Sequence, residues 1–593
     1  MLIEERGVTI SRTKIGILLL LLCTVFAVIF NLAQKGIDFS DEGKYLLDAK
    51  YPNSSASVIS HYGYVYHFIF SLINFDVAHF RFFNFLITFG IATITTSYIL
   101  KYLGLVQKQF SYLSFKLSIT SGIVSLTHFS VFWLPTPSYN SLTFQTMMIC
   151  MMAMSRFAYK EESRVTISTL TFSSFAFALL FLAKPPALLI LIFVFFLLMR
   201  ISHRIGYKEY CSFISLLFLW LLLFSHLIYG NTLGIFYSVE EGIRFAQKLT
   251  ATYSTKAQVI LDVPPYSIWV ALFCGLTILI ISFFGNKYLR NLTIGFMALL
   301  SISTILLILI FQNQDRFFTS VGNSFLIILA FVFASIAIDK INFRGLIGAI
   351  KPIWPLLILP LICAAGTNNN VWIQSSMNFY FVYLFGLFFL LKFKPYFFLD
   401  HRSYLLILLT IILSLSSIDS ITHRPYRQIS QLSDNNFHLT FPKEMNKIQV
   451  TEDVGQRIRE MLQAMKLGGF KSGTSVIDFT GQSPTALFIA QALPAGDSWL
   501  VGGYEGSNRY AIERLSQMSC IQLFSSWLLV EDGGPKSLNH QLILNNLGLD
   551  ISSYEKVAAW RTPRGAGGYD FSRKQILYKP LMSLKGCESR PKD

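Results

Sequence analysis

The sequence predicts a polytopic α-helical membrane protein that ends in a soluble domain. Of its 593 residues, 53% are apolar and only 14% are charged, whereas soluble domains carry about 25% charged residues. The apolar residues form long continuous runs, the pattern of transmembrane helices. After residue 419 the chain returns to mixed charged, polar and Gly-rich sequence. A β-barrel is excluded because its spans would be alternating segments of about ten residues.

The apolar runs predict about 13 transmembrane helices. The first, at 15–33, is longer than the apolar part of a signal peptide, so we expect it to be retained as a span. A run at 64–75 is too short to cross and is predicted to be an interfacial or re-entrant helix. The remaining predicted spans lie near 82–103, 117–134, 141–158, 165–183, 186–200, 211–230, 266–285, 291–311, 322–338, 353–365, 376–391 and 403–419.

The distribution of Lys and Arg predicts the orientation. If the spans alternate from a cytoplasmic N-terminus, the basic residues gather in the inner loops, as the positive-inside rule requires. The outer loops are then 35–81, 135–140, 231–265, 312–321 and 366–375, and the C-terminal domain lies outside. This predicts a multi-pass protein of the inner (plasma) membrane. The excess of 16 basic residues is assigned to this orientation and not to nucleic-acid binding.

The chain therefore divides into a transmembrane domain, 1–419, and an extracytoplasmic soluble domain, 420–593, of α/β or α+β class. Strands are predicted at 475–479, 521–530 and 575–579, and helices at 484–493 and 507–518. Cys520 and Cys587 lie in this domain, where an oxidising compartment would allow them to pair, and the sequence leaves that pairing open.

Three carboxylates, Asp38, Asp41 and Glu42, lie directly after the first span. In a chain this poor in charge, such a cluster at the membrane surface has two interpretations. It is either a solvated loop whose acids oppose insertion, or a functional site in which a carboxylate acts as a general base or binds a metal.

This arrangement resembles the GT-C superfold of glycosyltransferases, with protein O-mannosyltransferases and the lipid A aminoarabinose transferase nearest in plan. The resemblance rests on Asp41-Glu42 after the first span, the long first outer loop, the number of spans and the soluble C-terminal domain. It implies an inverting transferase that moves a sugar from a polyprenyl-phosphate donor to an envelope glycan, lipid or protein. Asp41 would be the general base. Glu42 and Asp38 would orient the acceptor or hold a divalent metal, although we expect no cofactor because the mannosyltransferase type works without one.

The phosphate of such a donor needs cations on the outer side. Lys184, which precedes Pro185 at the end of a span, and Arg316 are the candidates. The alternatives are that Lys184 reaches for the interface and that Arg316 pairs with Asp315.

Candidate sugar- or acceptor-binding residues are His61, Tyr62, Tyr64, Glu240, Glu241, Asn368 and Asn369. The aromatic residues are also typical of an interfacial belt, and consecutive Asn residues of an ordinary turn. The second outer loop, 135–140, has no carboxylate and departs in this from other members of the family.

Two other functions remain open. An O-antigen polymerase or ligase would rely on Arg and His in a large central outer loop, but the 231–265 loop has Arg244 and no His. A lipid-linked glycan transporter or flippase would often show two similar halves and ionisable residues inside its spans, and the sequence shows neither an obvious repeat nor many such charges.

Overall fold

The computed structural model describes residues 12–54, 58–102, 112–130, 132–159, 166–202, 206–249, 353–367, 370–393, 418–419, 421–423, 425–440 and 448–581. The predicted spans at 266–285, 291–311 and 322–338, and nearly all of the span at 403–419, lie outside these residues.

Helices make up most of the described residues before 394. They are α1 (Arg12–Ala33), α2 (Asp41–Lys50), α3 (Tyr62–Leu72), α4 (Val77–Tyr102), α5 (Tyr112–Ser125), α6 (Tyr139–Tyr159), α7 (Ile167–Ala183), α8 (Pro185–Ser202), α9 (Tyr207–Tyr229), α10 (Gly234–Lys248), α11 (Pro355–Ala364), α12 (Val371–Ser376) and α13 (Phe379–Phe393). Helices lie at the other predicted spans, and a short helix, α3, lies where one was predicted. Within the described ranges, two helices are long and apolar enough to cross a membrane, Val77–Lys101 and Tyr207–Tyr229.

The helix ends follow local chemistry. Pro185 excludes a helical conformation for the residue before it, and Lys184 is extended, with φ −160° and ψ 90°. This separates α7 from α8. Helix α9 ends at Gly230, whose φ of 70° is the left-handed conformation that favours glycine at a helix end.

Polar side chains inside the helical bundle bond to one another. The amide of Gln145 on α6 donates to Asn84 Oδ1 at 2.8 Å and to Thr88 Oγ1 at 2.9 Å, both on α4. The Tyr66 hydroxyl on α3 donates to Gln145 Oε1 at 2.8 Å. Because a buried polar group without a partner is costly, these bonds fix the position of the short helix α3 on the bundle.

The C-terminal domain contains helices and strands in the order β1 (Phe437–Leu439), β2 (Ile448–Val450), α14 (Glu452–Leu467), β3 (Ser475–Asp478), α15 (Pro484–Ile489), β4 (Leu493–Pro494), α16 (Ser507–Ser516), α17 (Cys520–Ser525), β5 (Trp527–Val530), α18 (His540–Asn546), β6 (Tyr554–Arg561) and β7 (Lys574–Pro580). Five of the strands form a mixed sheet of order β4-β3-β5-β7-β6, in which β3 is parallel to β4 and β5, and β7 is antiparallel to β5 and β6.

The elements predicted for this domain are present with two corrections. The predicted helix 484–493 ends at Ile489, and Leu493 begins strand β4. The predicted strand 521–530 is a helix, α17, in its first half, and only Trp527–Val530 forms a strand. The reason is a capping box, in which Ser519 Oγ accepts from the Gln522 amide and Gln522 Oε1 accepts from the Ser519 amide, each at 3.3 Å. Such a pair favours the start of a helix over a strand.

Cys520 at the start of α17 is disulfide-bonded. Its partner is not among the described cysteines, which are free. Two cysteines, Cys274 and Cys587, lie outside the described residues. The pairing of Cys520 with Cys587 stays a prediction.

The 35–81 loop and the C-terminal domain share one hydrophobic core. Leu46, Leu47 and Phe70 from the loop are fully buried in the same cluster as Ile489 and Leu577 from the domain. The backbone joins them as well, because Gln449 on β2 donates to Gln34 O at 2.7 Å and accepts from Gly36 N at 2.8 Å. The loop is therefore packed as part of the domain.

Candidate active site

The three carboxylates of the acidic segment, residues 38–42, are placed by the start of helix α2. Asp41 and Glu42 occupy its first turn, where the positive end of the helix dipole stabilises them. The Asp38 carboxylate accepts from the Glu42 amide at 3.2 Å and from Ser40 Oγ at 3.0 Å. It thereby satisfies an amide that the helix leaves unbonded.

Glu42 is an internal anchor. Its side chain is 2% exposed and lies 2.7 Å from Arg81 Nη2, measured to Oε1. Thr136 donates to the same carboxylate, and the Asp38 amide donates to it at 3.0 Å. Arg81 also donates to the carbonyls of Ala33 and Gly36, both at 2.9 Å. Glu42 therefore ties α2 to α4 and to the predicted second outer loop.

Asp38 is buried beside Asp41. Burial, and then the charge of Asp41, raise the pKa of the Asp38 carboxyl to about 7, because a buried carboxylate loses its hydration. At neutral pH this group is therefore close to half protonated.

Asp41 is the accessible member of the three. Its side chain is 23% exposed, against 1% for Asp38. Arg427 Nη1 lies 2.6 Å from Asp41 Oδ2, and the Tyr426 hydroxyl donates to the same oxygen at 3.1 Å. Asp41 is therefore the carboxylate best placed to meet a substrate, and it lies against Arg427 and Tyr426.

Sequence reasoning missed Tyr426, Arg427 and Lys536. Lys536 lies near enough to Arg427, Asp41 and Asp38 for their charges to act on it, and burial and the charge of Arg427 lower its pKa. One signal was present, since Tyr426-Arg427 follows the last predicted span within a few residues. The predicted topology places this position at the membrane surface.

A small cavity of about 20 Å³, enough space for about one water molecule, lies near this cluster. Tyr45, one turn after Asp41 on α2, forms part of its wall, and the lining ring of Phe132 lies 5.3 Å from the ring of Tyr426. Its lining residues are aromatic, apolar, hydroxyl or amide side chains: Tyr45, His128, Phe129, Phe132, Leu134, Ser138, Asn140, Ser141 and Met377. Apolar walls with a few polar groups are typical of small-molecule sites.

Lys184 is buried at the break between α7 and α8. Its ammonium donates to Cys363 O at 2.8 Å and lies 5.8 Å from the centre of the Tyr139 ring. That ring contacts the ring of Tyr45 at 6.0 Å, so Lys184 lies one aromatic layer from the cavity wall. In the part of the chain that the structure describes, no carboxylate pairs with Lys184.

The predicted sugar-binding aromatics make internal contacts. His61 is fully buried and bonded to the Tyr229 hydroxyl at 3.0 Å, and burial lowers its pKa to about 3, so it is neutral. The Tyr62 hydroxyl donates to Asp48 Oδ2 at 2.5 Å, and that of Tyr64 to Asn53 at 2.9 Å. Tyr62 alone of the three has a ring contact with Tyr45, at 5.7 Å, among the described ring pairs.

The predicted acids on α10 lie at the surface. Glu240 pairs with Arg244 one turn later at 3.1 Å, both exposed. Glu241 accepts from Gln517 Nε2 of the C-terminal domain at 2.6 Å. These contacts do not connect Glu240 or Glu241 to Asp41 within the described ranges. Arg316, Asn368 and Asn369 lie outside them.

Asp48 is a further residue that the sequence did not single out. It accepts from Lys44 Nζ at 2.9 Å, from the Tyr62 hydroxyl and from Ser498 Oγ of the C-terminal domain. These bonds hold α2, α3 and the domain together behind the acidic segment. Over the described chain, no group of three or more His, Cys, Asp or Glu side chains is arranged to hold a metal ion.

No protein-family model matches the chain, and no curated protein sequence matches it. Among solved structures, the chain is similar to ArnT from Cupriavidus metallidurans bound to undecaprenyl phosphate, with 10% sequence identity over 96% of this chain and 98% of that one. The TM-score is 0.39. A score at this level does not establish a shared fold, so the function is inferred from the residues of the site.

Proposed function

We propose that the protein is an inverting membrane glycosyltransferase, which moves a sugar from a polyprenyl-phosphate donor to an acceptor in the cell envelope, on the outer face of the inner membrane. One observation carries this proposal. Asp41, a partly exposed carboxylate in the first turn of α2, pairs with Arg427 and lies one turn before Tyr45, which lines a small cavity of aromatic, hydroxyl and amide groups.

Asp41 acts as the general base. It takes the proton of the acceptor hydroxyl while that oxygen attacks the anomeric carbon, and the bond between that carbon and the phosphate oxygen breaks. The phosphate departs as an anion, so the reaction needs no second carboxylic acid of the kind that glycoside hydrolysis uses. Glu42 is therefore not required as a second acid, and its carboxylate is instead bound by Arg81 and Thr136.

The residues that line the cavity near Asp41 contact the sugar, with their rings against the sugar face and their hydroxyl and amide groups bonded to sugar hydroxyls. The cavity has only about 20 Å³ of space, so its walls move apart when the sugar binds. Lys184 lies over the ring of Tyr139, and its positive charge stabilises the leaving phosphate. Arg316 is proposed for the same role on the strength of the sequence. His61, Tyr62 and Tyr64 stabilise the loop that carries Asp41, since their hydrogen bonds are made within the protein.

The test is release of free polyprenyl phosphate by purified protein from a panel of polyprenyl-phosphate sugars, with envelope extract as acceptor. Asp41→Asn is expected to lower turnover by about two to four orders of magnitude, the usual loss of a general base. Asp453→Asn is the matched control, because Asp453 also lies in the first turn of a helix but is exposed on α14. Its turnover is expected to equal that of the wild type.

Near-normal turnover by a folded Asp41→Asn variant would remove Asp41 from the mechanism. If folded wild-type protein released polyprenyl phosphate from no donor, the transferase proposal would fail, and this result would favour the polymerase and flippase interpretations.

A further inference from the structure

The cations beside Asp41 come from the C-terminal domain. The guanidinium of Arg427 pairs with Asp41, donates to Ser40 Oγ and stacks 4.7 Å from the centre of the Tyr426 ring. Lys536 is partly buried in the same cluster. Among the described residues, its ammonium makes no hydrogen bond or ion pair. Arg427 therefore contacts the one accessible carboxylate, and Lys536 lies near enough for its charge to act on both groups.

Glycine-containing turns fix Lys536 in place. A Cβ added at Gly502 would lie 1.7 Å from the Lys536 carbonyl oxygen, and one at Gly481, where φ is +69°, would lie 2.0 Å from it. A Cβ at Gly503 would lie 3.0 Å from Lys536 Cγ. Only glycine allows these approaches. The turns after β3 and before α16 therefore hold the segment that carries Lys536.

The segment of Arg427 also lies against glycines, but these contacts are looser. Gly36, with φ +71°, leaves room for the flexible end of Gln428, since a Cβ there would lie 2.3 Å from Gln428 Oε1. A Cβ at Gly568 would make an ordinary contact, 3.4 Å from Arg427 Cγ. Arg427 itself has a φ of 51°, a conformation that costs a non-glycine residue about 1 kcal/mol or more. Such strain persists where the surroundings impose it, and it is concentrated at binding and catalytic sites.

The charges of the cluster do not balance. Glu42 is neutralised by Arg81, which leaves Arg427 and Lys536 against Asp41 and Asp38. Because the pKa of Asp38 is raised to about 7, that carboxyl supplies only part of a negative charge at neutral pH. The cluster therefore has an excess of positive charge in a partly buried place, where an anion is attracted.

We infer that Arg427 and Lys536 bind a phosphate group of a substrate, and that this phosphate draws Arg427 away from Asp41. This inference rests on the proposed function. It adds that the C-terminal domain supplies part of the active site, and that Arg427 blocks the base until an anion replaces Asp41 as its partner. Arg suits the exchange because its guanidinium binds carboxylate and phosphate with the same fork of donors.

Two substrates carry the same chemical group: the phosphate belongs either to the lipid-linked donor or to a phosphorylated acceptor. The experiment measures binding of three probes to the full-length protein in detergent: undecaprenyl phosphate, undecaprenol, and inorganic phosphate. The variants are Arg427→Gln and Lys536→Gln. Arg561→Gln and Lys556→Gln are the matched controls, since both residues are exposed on β6 of the same domain.

We expect each cluster variant to bind undecaprenyl phosphate at least about 10-fold more weakly, the usual effect of losing one charge-assisted hydrogen bond. Binding of undecaprenol, which has no phosphate, is expected to be unchanged in every variant. A loss confined to inorganic phosphate would instead assign the site to the acceptor. Undiminished binding of both phosphate probes by the two cluster variants would overturn the inference.

Turnover separates this inference from the proposed function. If the wild type releases polyprenyl phosphate while the cluster variants bind both phosphate probes normally, the inference fails and the function stands. If the wild type releases none from any donor but the cluster variants lose phosphate binding, the anion site stands and the transferase proposal fails. Arg427→Lys keeps the charge without the fork, and is expected to recover part of the lost binding.

Discussion

Gly43 on α2 sets the distance between the acidic segment and the C-terminal domain. A Cβ added there would lie 2.1 Å from the Thr485 amide nitrogen and 2.2 Å from Thr485 Oγ1. Side chains do not approach backbone so closely, so Gly43→Ala must open this contact by about 1 Å. Thr485 also donates to the Asp38 carbonyl at 2.6 Å, and that bond would be stretched or lost.

The cost of Gly43→Ala has two parts. Overpacking destabilises by about 1–3 kcal/mol, and the better helix propensity of Ala returns about 1 kcal/mol. The loss in stability is therefore small, but α2 moves relative to Arg427 and Tyr426. A displacement of about 1 Å at a catalytic group costs roughly 100-fold in rate. We expect turnover to fall by about that factor while the thermal midpoint falls by only a few degrees.

The assay is release of polyprenyl phosphate, with thermal unfolding in detergent measured on the same preparation. Gly90→Ala is the matched control, because Gly90 also lies inside a helix, α4, and a Cβ there would meet nothing within 4 Å. Its activity and stability are expected to equal or exceed those of the wild type. Turnover of Gly43→Ala within threefold of the wild type would refute the idea that this contact sets the geometry of Asp41.

Two further changes test the charges of the acidic segment. Arg81→Met leaves Glu42 buried without its cation and is expected to destabilise by about 3–5 kcal/mol, whereas Arg244→Met, at an exposed pair, costs less than about 1 kcal/mol; equal thermal midpoints for the two variants would contradict the anchoring role of Glu42. Asp38 has a pKa raised from 3.8 to about 7 by burial, so its protonated form stabilises the fold below about pH 4 and that contribution is lost as the pH rises to 7. Between pH 4 and 7 the free energy of unfolding of the wild type is expected to fall relative to that of Asp38→Asn by up to roughly 4 kcal/mol. If the difference in stability between the two proteins did not change with pH, Asp38 would not be buried as a neutral acid.

The helices before residue 394 that the structure describes were predictable because, in a chain with so little charge, apolar runs of span length are typical of long apolar helices. The short helix α3 was predictable because its apolar run is too short to cross a membrane. The strand predicted at 521–530 failed in its first half because Ile521, Leu523 and Phe524 read equally well as strand or helix, and the deciding signal was the capping pair of Ser519 and Gln522. Short apolar runs are ambiguous in this way.

The acidic segment could be located from its position after the first span, but the roles of its members could not be separated. Asp38, Asp41 and Glu42 differ in what faces them, and those partners are distant in sequence. Arg81 and Thr136 enclose Glu42, while Tyr426 reaches Asp41 across 385 positions of the chain. Contacts of that separation leave no trace in local periodicity. The same holds for the aromatic residues of the 35–81 loop, whose hydroxyls bond to Asp48 and Asn53.

The composition of the chain changes at residue 419, but the packing does not follow that boundary. Leu46 and Leu47 on α2, the helix that begins with Asp41, are buried in the core of the C-terminal domain, and Phe70 stacks on Phe488 of that domain. Without the domain, these apolar side chains would face water at a cost of about 2 kcal/mol each. The helix that presents Asp41 is therefore held by the domain that supplies Arg427. The proposed catalytic carboxylate is therefore positioned by a core that both parts of the chain build, and neither part forms this site alone.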